Sequence, residues 1–169
     1  MTLPFHLRPA VASDLDAILA LERATDLAPH WSTTTYADIL VVGAPFMPRS
    51  LRNGWETAIQ RCLFVAEQNE SLIGFAVGLI HPDASNRIAE LESVVVSAGA
   101  RRIGIGRALC HAVLDWSRVH GATEIILEVR ANSTAVALYT SLGFTLSARR
   151  PRYYRDPDDD ALLLRLVLP

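Results

Sequence analysis

Apolar positions change their spacing along this chain, and each change marks a different element. From Leu63 the spacing is that of strands: LFVAE, a polar turn at QNES, LIGFAVGLI, a break at HPDASN, and then AELESVVVS. Three strands joined by short polar segments predict an antiparallel meander. Beyond Gly104 the apolar residues Ile105, Leu109, Ala112, Val113, Trp116 and Val119 recur at helical spacing, and Gly121 supplies the stop. TEIILEV then alternates again, with Ile125, Leu127 and Val129 set against Glu124, Ile126 and Glu128. Strand, helix and strand in that order predict a right-handed crossover between two parallel strands.

The flanks are read in the same way. FHLRP is a short strand ended by Pro9, and Ser13 with Asp16 outlines a capping box before Leu15, Ile18 and Leu19, which predicts a first helix to about Ala24. After Pro29, Ser32 is placed to cap a shorter helix carrying Tyr36, Ile39 and Leu40. VVGAPFMPRSLRNGW, with Pro45, Pro48, Gly43 and Gly54, reads as a loop. Downstream, NSTAVALYTSLGF predicts a helix capped at Asn132 or Ser133 and ended by Gly143. From Phe144 onward two strands are joined by an acidic, proline-containing turn. No repeat or linker divides the chain. The expectation is a single α/β domain over residues 1–169, with a mixed sheet: an antiparallel meander followed by a parallel βαβ unit.

Composition narrows the function classes. Of 169 residues half are apolar, which is enough to bury a substantial core, and the formal net charge of −2 gives no general basic field for a nucleic acid. Two cysteines, Cys62 and Cys110, lie too far apart in sequence to suggest a disulfide framework or a zinc knuckle. The five histidines show no metal-ligand spacing, so no metal is expected. No apolar stretch reaches membrane-spanning length and none follows a basic start. A soluble, cytoplasmic protein is expected, with neither membrane nor nucleic acid as partner.

The candidate chemistry begins with RRIGIGR at the entrance to the long helix. A helix entrance carries free backbone N–H groups and the positive end of the dipole. Gly104 and Gly106 lack a Cβ, so an anion can come close to the main chain, and Arg101, Arg102 and Arg107 add charge around it. A pyrophosphate suits such a place. The plainer alternative is that the glycines shape a turn and the arginines are solvated. A P-loop would need Gly-Lys-Ser/Thr, and a Rossmann fingerprint would need a glycine where Leu109 stands, so both recede.

Joined to the residues downstream of it, the stretch becomes specific. VVVSAGARRIGIGRAL followed by LEVRANSTAVALYTSLGF resembles the acetyl-CoA signature of the GNAT N-acetyltransferases. That signature is a hydrophobic strand, R/Q-x-x-G-x-G/A, then N-x-x-A-x-x-L-Y-x-x-x-G-F, here Asn132, Ala135, Leu138, Tyr139, Gly143 and Phe144. More narrowly, HWSTTTY, LEVR and RRPRYYRDPDDDAL are similar to the ribosomal-protein-alanine N-acetyltransferases, with residues 41–62 standing as an insertion. The resemblance implies acetyl-CoA as cofactor. It also implies that the main chain of Val94, Val95 and Val96 pairs with the pantetheine arm, and that Arg101, Arg102, Ile103, Gly104, Ile105, Gly106 and Arg107 wrap the pyrophosphate. Asn132 contacts the cofactor, Glu128 is the general base and Tyr139 the general acid. One departure is visible: the family's LEVRASN is here LEVRAN, one residue shorter before the asparagine. The implied acceptor is a protein N-terminus, such as that of ribosomal protein S18. An internal lysine, a small amine, or a non-catalytic acyl-CoA sensor are the alternatives.

The chemistry wants these groups. An α-amino group with a pKa of about 7.7–8.0 must lose a proton before it attacks, and a carboxylate acting through a water can take it. Backbone N–H groups stabilise the developing oxyanion, and a phenol can protonate the leaving thiolate. No cysteine nucleophile is needed, so direct attack in a ternary complex is expected. Glu90 and Glu92 compete with Glu128 as bases, Glu92 more strongly. Tyr153 and Tyr154, as strand neighbours, are expected on opposite faces, so at most one would touch an acceptor. Asp158, Asp159 and Asp160 read as a solvated acidic run.

Overall fold

The structure, a computed structural model, describes residues 4–25, 28–42, 60–81 and 87–169. Most of the predicted insertion at 41–62, and the break after His81, therefore lie outside the described residues. Strand β1 (His6–Pro9) leads through a short 3-10 turn into helix α1 (Leu15–Arg23), and α2 (Thr33–Val42) follows. The meander is β2 (Gln60–Gln68), β3 (Ser71–Ile80) and β4 (Ile88–Val96). Helix α3 (Ile105–Val119) connects β4 to β5 (Glu124–Arg130), and α4 (Ala135–Ser141) precedes the hairpin of β6 (Thr145–Arg155) and β7 (Asp158–Val167). The sheet order is β1-β2-β3-β4-β5-β7-β6, antiparallel except where β4 and β5 run parallel. This is the mixed α/β architecture that the spacing predicts.

Local chemistry starts each element. Ser32 accepts a hydrogen bond at Oγ from the Thr35 N–H (3.1 Å), the predicted cap of α2. At α1 the prediction misses by a position. Asp14, and not Ser13 with Asp16, closes the turn by accepting from the Val11 N–H at 2.8 Å. The reason is Arg8, whose guanidinium holds both Asp14 oxygens at 2.7 and 2.9 Å and so draws that carboxylate inward.

The sheet carries a core on each face. On one, Ile105, Leu109 and Val113 of α3 lie on Ala89, Leu91, Ile125 and Leu127. On the other, Ile18, Leu19, Tyr36 and Ile39 of α1 and α2 cover Leu63, Val65, Phe75, Val77 and Val95. Each of the larger side chains contributes about 1.5–3 kcal/mol by leaving water. Two glycines of LIGFAVGLI let α3 sit close on β3. A Cβ at Gly78 would stand 2.5 Å from Val113 Cγ1, and one at Gly74 3.1 Å from Leu109 Cδ1. The height of the α3 entrance above the sheet is thus set by missing side chains on β3.

The terminal hairpin departs from regular alternation. Register shifts interrupt β6 against β7 between Leu146 and Ala148 and between Arg150 and Tyr154, and Arg152 has φ +50. A bulge of this kind re-aims side chains. Tyr153 and Tyr154 consequently do not point to opposite faces; their rings meet edge to face, 5.1 Å apart. Among the described residues no helix is long and apolar enough to cross a membrane.

Candidate active site

The parallel ladder between β4 and β5 is short. Ile88, Glu90 and the residue between them pair with Glu124 to Ile126, and beyond that point each strand keeps only its outer neighbour. Leu91 to Val96 therefore present an unpaired main-chain edge to a split in the sheet. The predicted cofactor strand, Val94, Val95 and Val96, forms the far part of that edge. Ser93, beside it, holds the single buried side-chain oxygen without a hydrogen-bond partner among the described residues. An unpaired strand edge next to an unsatisfied hydroxyl is where an amide-bearing arm such as pantetheine would find partners.

The loop leading from that edge into α3 is shaped by its backbone. Arg102 has φ +69 and Gly104 φ +94, so two left-handed residues bend the loop just before the helix. The first helical bond runs from the Ala108 N–H to Gly104 O (3.0 Å), leaving the N–H groups of Ile105, Gly106 and Arg107 ahead of it. A Cβ on Gly104 would meet nothing within 4 Å, whereas one on Gly106 would lie 3.3 Å from Leu138 Cδ2 and 3.8 Å from Val96 Cγ2. Arg102, Ile103 and Gly104 are exposed. The arginines divide their tasks in a way the sequence did not show. Arg101 Nε donates to Val96 O (3.2 Å) and Arg107 Nη2 to Ser141 Oγ (2.6 Å), so both brace the loop against β4 and α4. Arg102 projects outward. These residues fit a diphosphate held mainly by main chain.

Glu128 alternates with Leu127 and Val129 and so faces away from α3, toward the side of α1 and α2. Two residues beyond the last pair, Glu90 with Ile126, Glu92 stands on β4 and Glu128 on β5, Glu92 in a bulge of β4 against β3. Each carboxylate has an arginine. Arg150 Nη1 donates to Glu128 Oε2 at 2.8 Å, and Arg61 grips both oxygens of Glu92 at 2.8 and 3.1 Å. Glu90 meets His81 Nε2 at 3.0 Å. Glu92 is thus bound at both oxygens, while Glu128 is firmly bound at one. Its Oε1 lies 3.5 Å from the Tyr154 hydroxyl, too long for a strong bond. Burial first, and then the Glu128 carboxylate, push the Tyr154 phenol up, which keeps it protonated.

Tyr139 stands on the opposite face, in the core cluster with Leu109, Cys110 and Leu127. Burial raises its phenol well above the usual value, so it remains a proton donor at neutral pH. The buried thiol of Cys110 is pushed up to about 12 by the same cause, and that of Cys62 is also raised; neither is a thiolate. Asn132 is clipped to the hairpin. Its N–H and Nδ2 reach the two oxygens of Asp159 at 3.2 and 3.1 Å. The run Asp158–Asp160 is therefore more than a solvated turn, since Asp160 in turn accepts from the Arg152 N–H (2.7 Å) and Arg149 Nε (2.6 Å).

The loop, Glu128 and Tyr139 are candidates the sequence offers, whereas Arg61, Arg150 and the Asp159 clip emerge only from the structure. Contacts of these three kinds depend on strand register, and β6 has bulges that no spacing rule reveals.

A split sheet whose edge runs into a loop with free main-chain N–H groups, with a carboxylate and a phenol on its two faces, is an arrangement suited to a nucleotide-tailed thioester. The chain belongs to the acetyltransferase (GNAT) family, whose profile matches residues 26–144. It is an acetyl-CoA-dependent N-acetyltransferase. Among curated proteins it is 36% identical over 108 residues to the [ribosomal protein bS18]-alanine N-acetyltransferase of Escherichia coli (strain K12), which covers 62% of this chain and 70% of that protein. Among solved structures, the ribosomal-protein-S18-alanine N-acetyltransferase from Escherichia coli superposes with a TM-score of 0.71 at 28% identity, over 97% of this chain and 94% of the other. The NatC complex bound to Gag peptide and CoA gives 0.75 at 25% identity, over 98% and 99%.

Proposed function

We propose that this chain, acting as one N-acetyltransferase domain over residues 1–169 in the cytoplasm, acetylates the α-amino group of a protein N-terminus, with a ribosomal protein of the S18 kind as the first acceptor to test. The observation that carries the reading is the three-residue β4–β5 ladder, with Glu128 on one side of the split beyond it and Tyr139 on the other. Two similar proteins, the bS18-alanine N-acetyltransferase and an N-alpha-acetyltransferase of Sulfurisphaera tokodaii (33% identical over 114 residues), support the choice of acceptor.

Acetyl-CoA, when bound, supplies an acetyl group activated as a thioester. The N–H groups at the entrance to α3 hold its diphosphate, and the edge at Val94 to Val96 holds the arm, with Asn132 beside it. Glu128 Oε1 takes the proton from the amine, directly or through one water, so that nitrogen can form its bond to the acetyl carbon. As the carbon–sulfur bond breaks, the Tyr139 hydroxyl supplies the proton that sulfur needs. Forming the amide removes two protons from the ammonium nitrogen. The first goes to Glu128 and on to solvent; the second, lost once the nitrogen–carbon bond has formed, returns through water to the Tyr139 phenolate. Each turnover thus releases one net proton and restores the pair. With both thiols buried and protonated, the amine attacks directly and no acetyl-enzyme forms.

The test monitors free thiol release with acetyl-CoA and three acceptors: a peptide with a free N-terminal alanine, an Nα-blocked peptide containing lysine, and a small amine. Turnover is expected on the first. Glu128→Gln should lower kcat by roughly 10²–10⁴-fold. Equal turnover on the blocked peptide would refute N-terminal selectivity, and tight cofactor binding without turnover on any acceptor would make the chain a binding module.

A further inference from the structure

We propose that Arg150 is a positioning residue for Glu128, acting through that carboxylate alone and holding it in the one orientation that leaves Oε1 open to the acceptor amine. The inference rests on the reading of Glu128 as the base.

The geometry is specific. β7 lies between β5 and β6, so Arg150 crosses a whole strand to place Nη1 2.8 Å from Glu128 Oε2. Register puts it on the right face: Arg150 pairs with Ala161 and Ala161 with Arg130, two residues along β5 from Glu128, so all four share one side of the sheet. The Tyr153 ring, 5.4 Å from the guanidinium carbon, flanks Arg150 on the way. Arg149, its neighbour, takes the opposite course and closes on Asp160 within the hairpin. Two adjacent arginines thus serve different ends, one tying the hairpin to itself and one reaching the candidate base.

Stability is a poor explanation for the longer reach. The Arg150 side chain is 51% exposed and that of Glu128 27%, and ion pairs so open to solvent contribute little to folding. Orientation is a better one. The terminal torsion of a glutamate is broad, so an unrestrained carboxylate would sample many directions. One short charged bond at Oε2 removes that freedom, and the 3.5 Å gap to Tyr154 leaves Oε1 available for a proton. Small errors in the placement of a reacting group are costly to rate.

A double-mutant cycle decides the matter. Arg150→Gln should lower kcat by about tenfold while leaving acetyl-CoA binding and the melting temperature unchanged. In a Glu128→Gln background the same substitution should change kcat by less than about twofold, because nothing remains to be oriented. Arg150→Lys should recover part of the loss, and Arg149→Gln should cost less than about twofold in kcat. A tenfold loss that persists without the Glu128 carboxylate, an equal loss in Arg149→Gln, or full activity in Arg150→Gln would each overturn the proposal. Full turnover in Glu128→Gln would instead remove the base assignment, and this inference with it.

Discussion

The entrance to α3 is built from consecutive residues whose first main-chain N–H groups precede the helical ladder, whereas the ground around Glu128 is assembled from side chains of β2, β4, β5 and β6. At the entrance, two left-handed residues and the free end of a helix shape the cradle, and the flanking Arg101 and Arg107 serve as braces. Around Glu128, the carboxylates of Glu128 and Glu92 are each held by an arginine from another strand, Arg150 of β6 and Arg61 of β2. The contrast separates two demands. A diphosphate has the same shape for every acyl-CoA enzyme, so a rigid backbone cradle suits it. An acceptor amine differs from enzyme to enzyme, and side chains are what a chain can exchange without altering its fold.

If the cradle is made by backbone, its weak point is the residue that permits the backbone turn. Gly104, at φ +94, is the position where a β-branched side chain is most strained, although no neighbour lies within 4 Å of a Cβ there. Gly104→Val should weaken acetyl-CoA binding by roughly 30-fold, corresponding to about 2 kcal/mol of backbone strain. Arg102→Ala, which removes only an exposed charge, should cost about threefold or less. Calorimetric titration of each variant with acetyl-CoA measures both. An arginine variant that loses more than the glycine variant would mean that side chains and not main chain hold the phosphates.

The same contrast governs what could be read from the sequence. R-x-x-G-x-G is legible because all its parts are neighbours and the helix after it has a strong period from Ile105 to Val119. The meander and the parallel crossover were legible because their apolar alternation matches two buried faces. The Asp14 turn was missed because its cause, Arg8, sits in another element. The reach of Arg150 was missed because it depends on how three strands pair, and the edge-to-face contact of Tyr153 and Tyr154 for a related reason. Alternation presumes a regular strand, and β6 is regular only in parts. Local sequence encodes local backbone well; it does not encode which distant charge will lie across a bulge.

On the side-chain-built half, the pair most open to attack is Arg61 with Glu92. The Glu92 side chain is only 12% exposed and has both oxygens on one guanidinium. Arg61→Gln should destabilise the fold by about 1–2 kcal/mol, since it leaves a nearly buried carboxylate short of donors. Chemical denaturation at neutral pH measures it. Acetyl-CoA affinity should not move, because the cradle shares no residue with this pair. If Glu92 were the base, freeing its oxygens would raise turnover; a variant with higher kcat would therefore transfer that role from Glu128.

The mildest effect is expected at Asp160, and it tests the division by pH. The Arg152 N–H, and then Arg149, hold the Asp160 carboxyl below its ordinary value, and the side chain is half-buried. A carboxyl whose pKa is depressed on folding contributes stability above the pKa it has in the unfolded chain. That contribution is lost as pH falls through the folded value, so the window lies below about pH 4. Asp160→Asn should lower the melting temperature slightly at neutral pH and flatten its fall in the acid range, because one carboxyl no longer has to be protonated. Cofactor affinity should stay level, since the clip on Asn132 is made by Asp159 and the cradle by main chain. Should Asp160→Asn weaken acetyl-CoA binding as much as Gly104→Val, the hairpin and the cradle would be one cooperative unit, and the two halves of the site could not be altered independently.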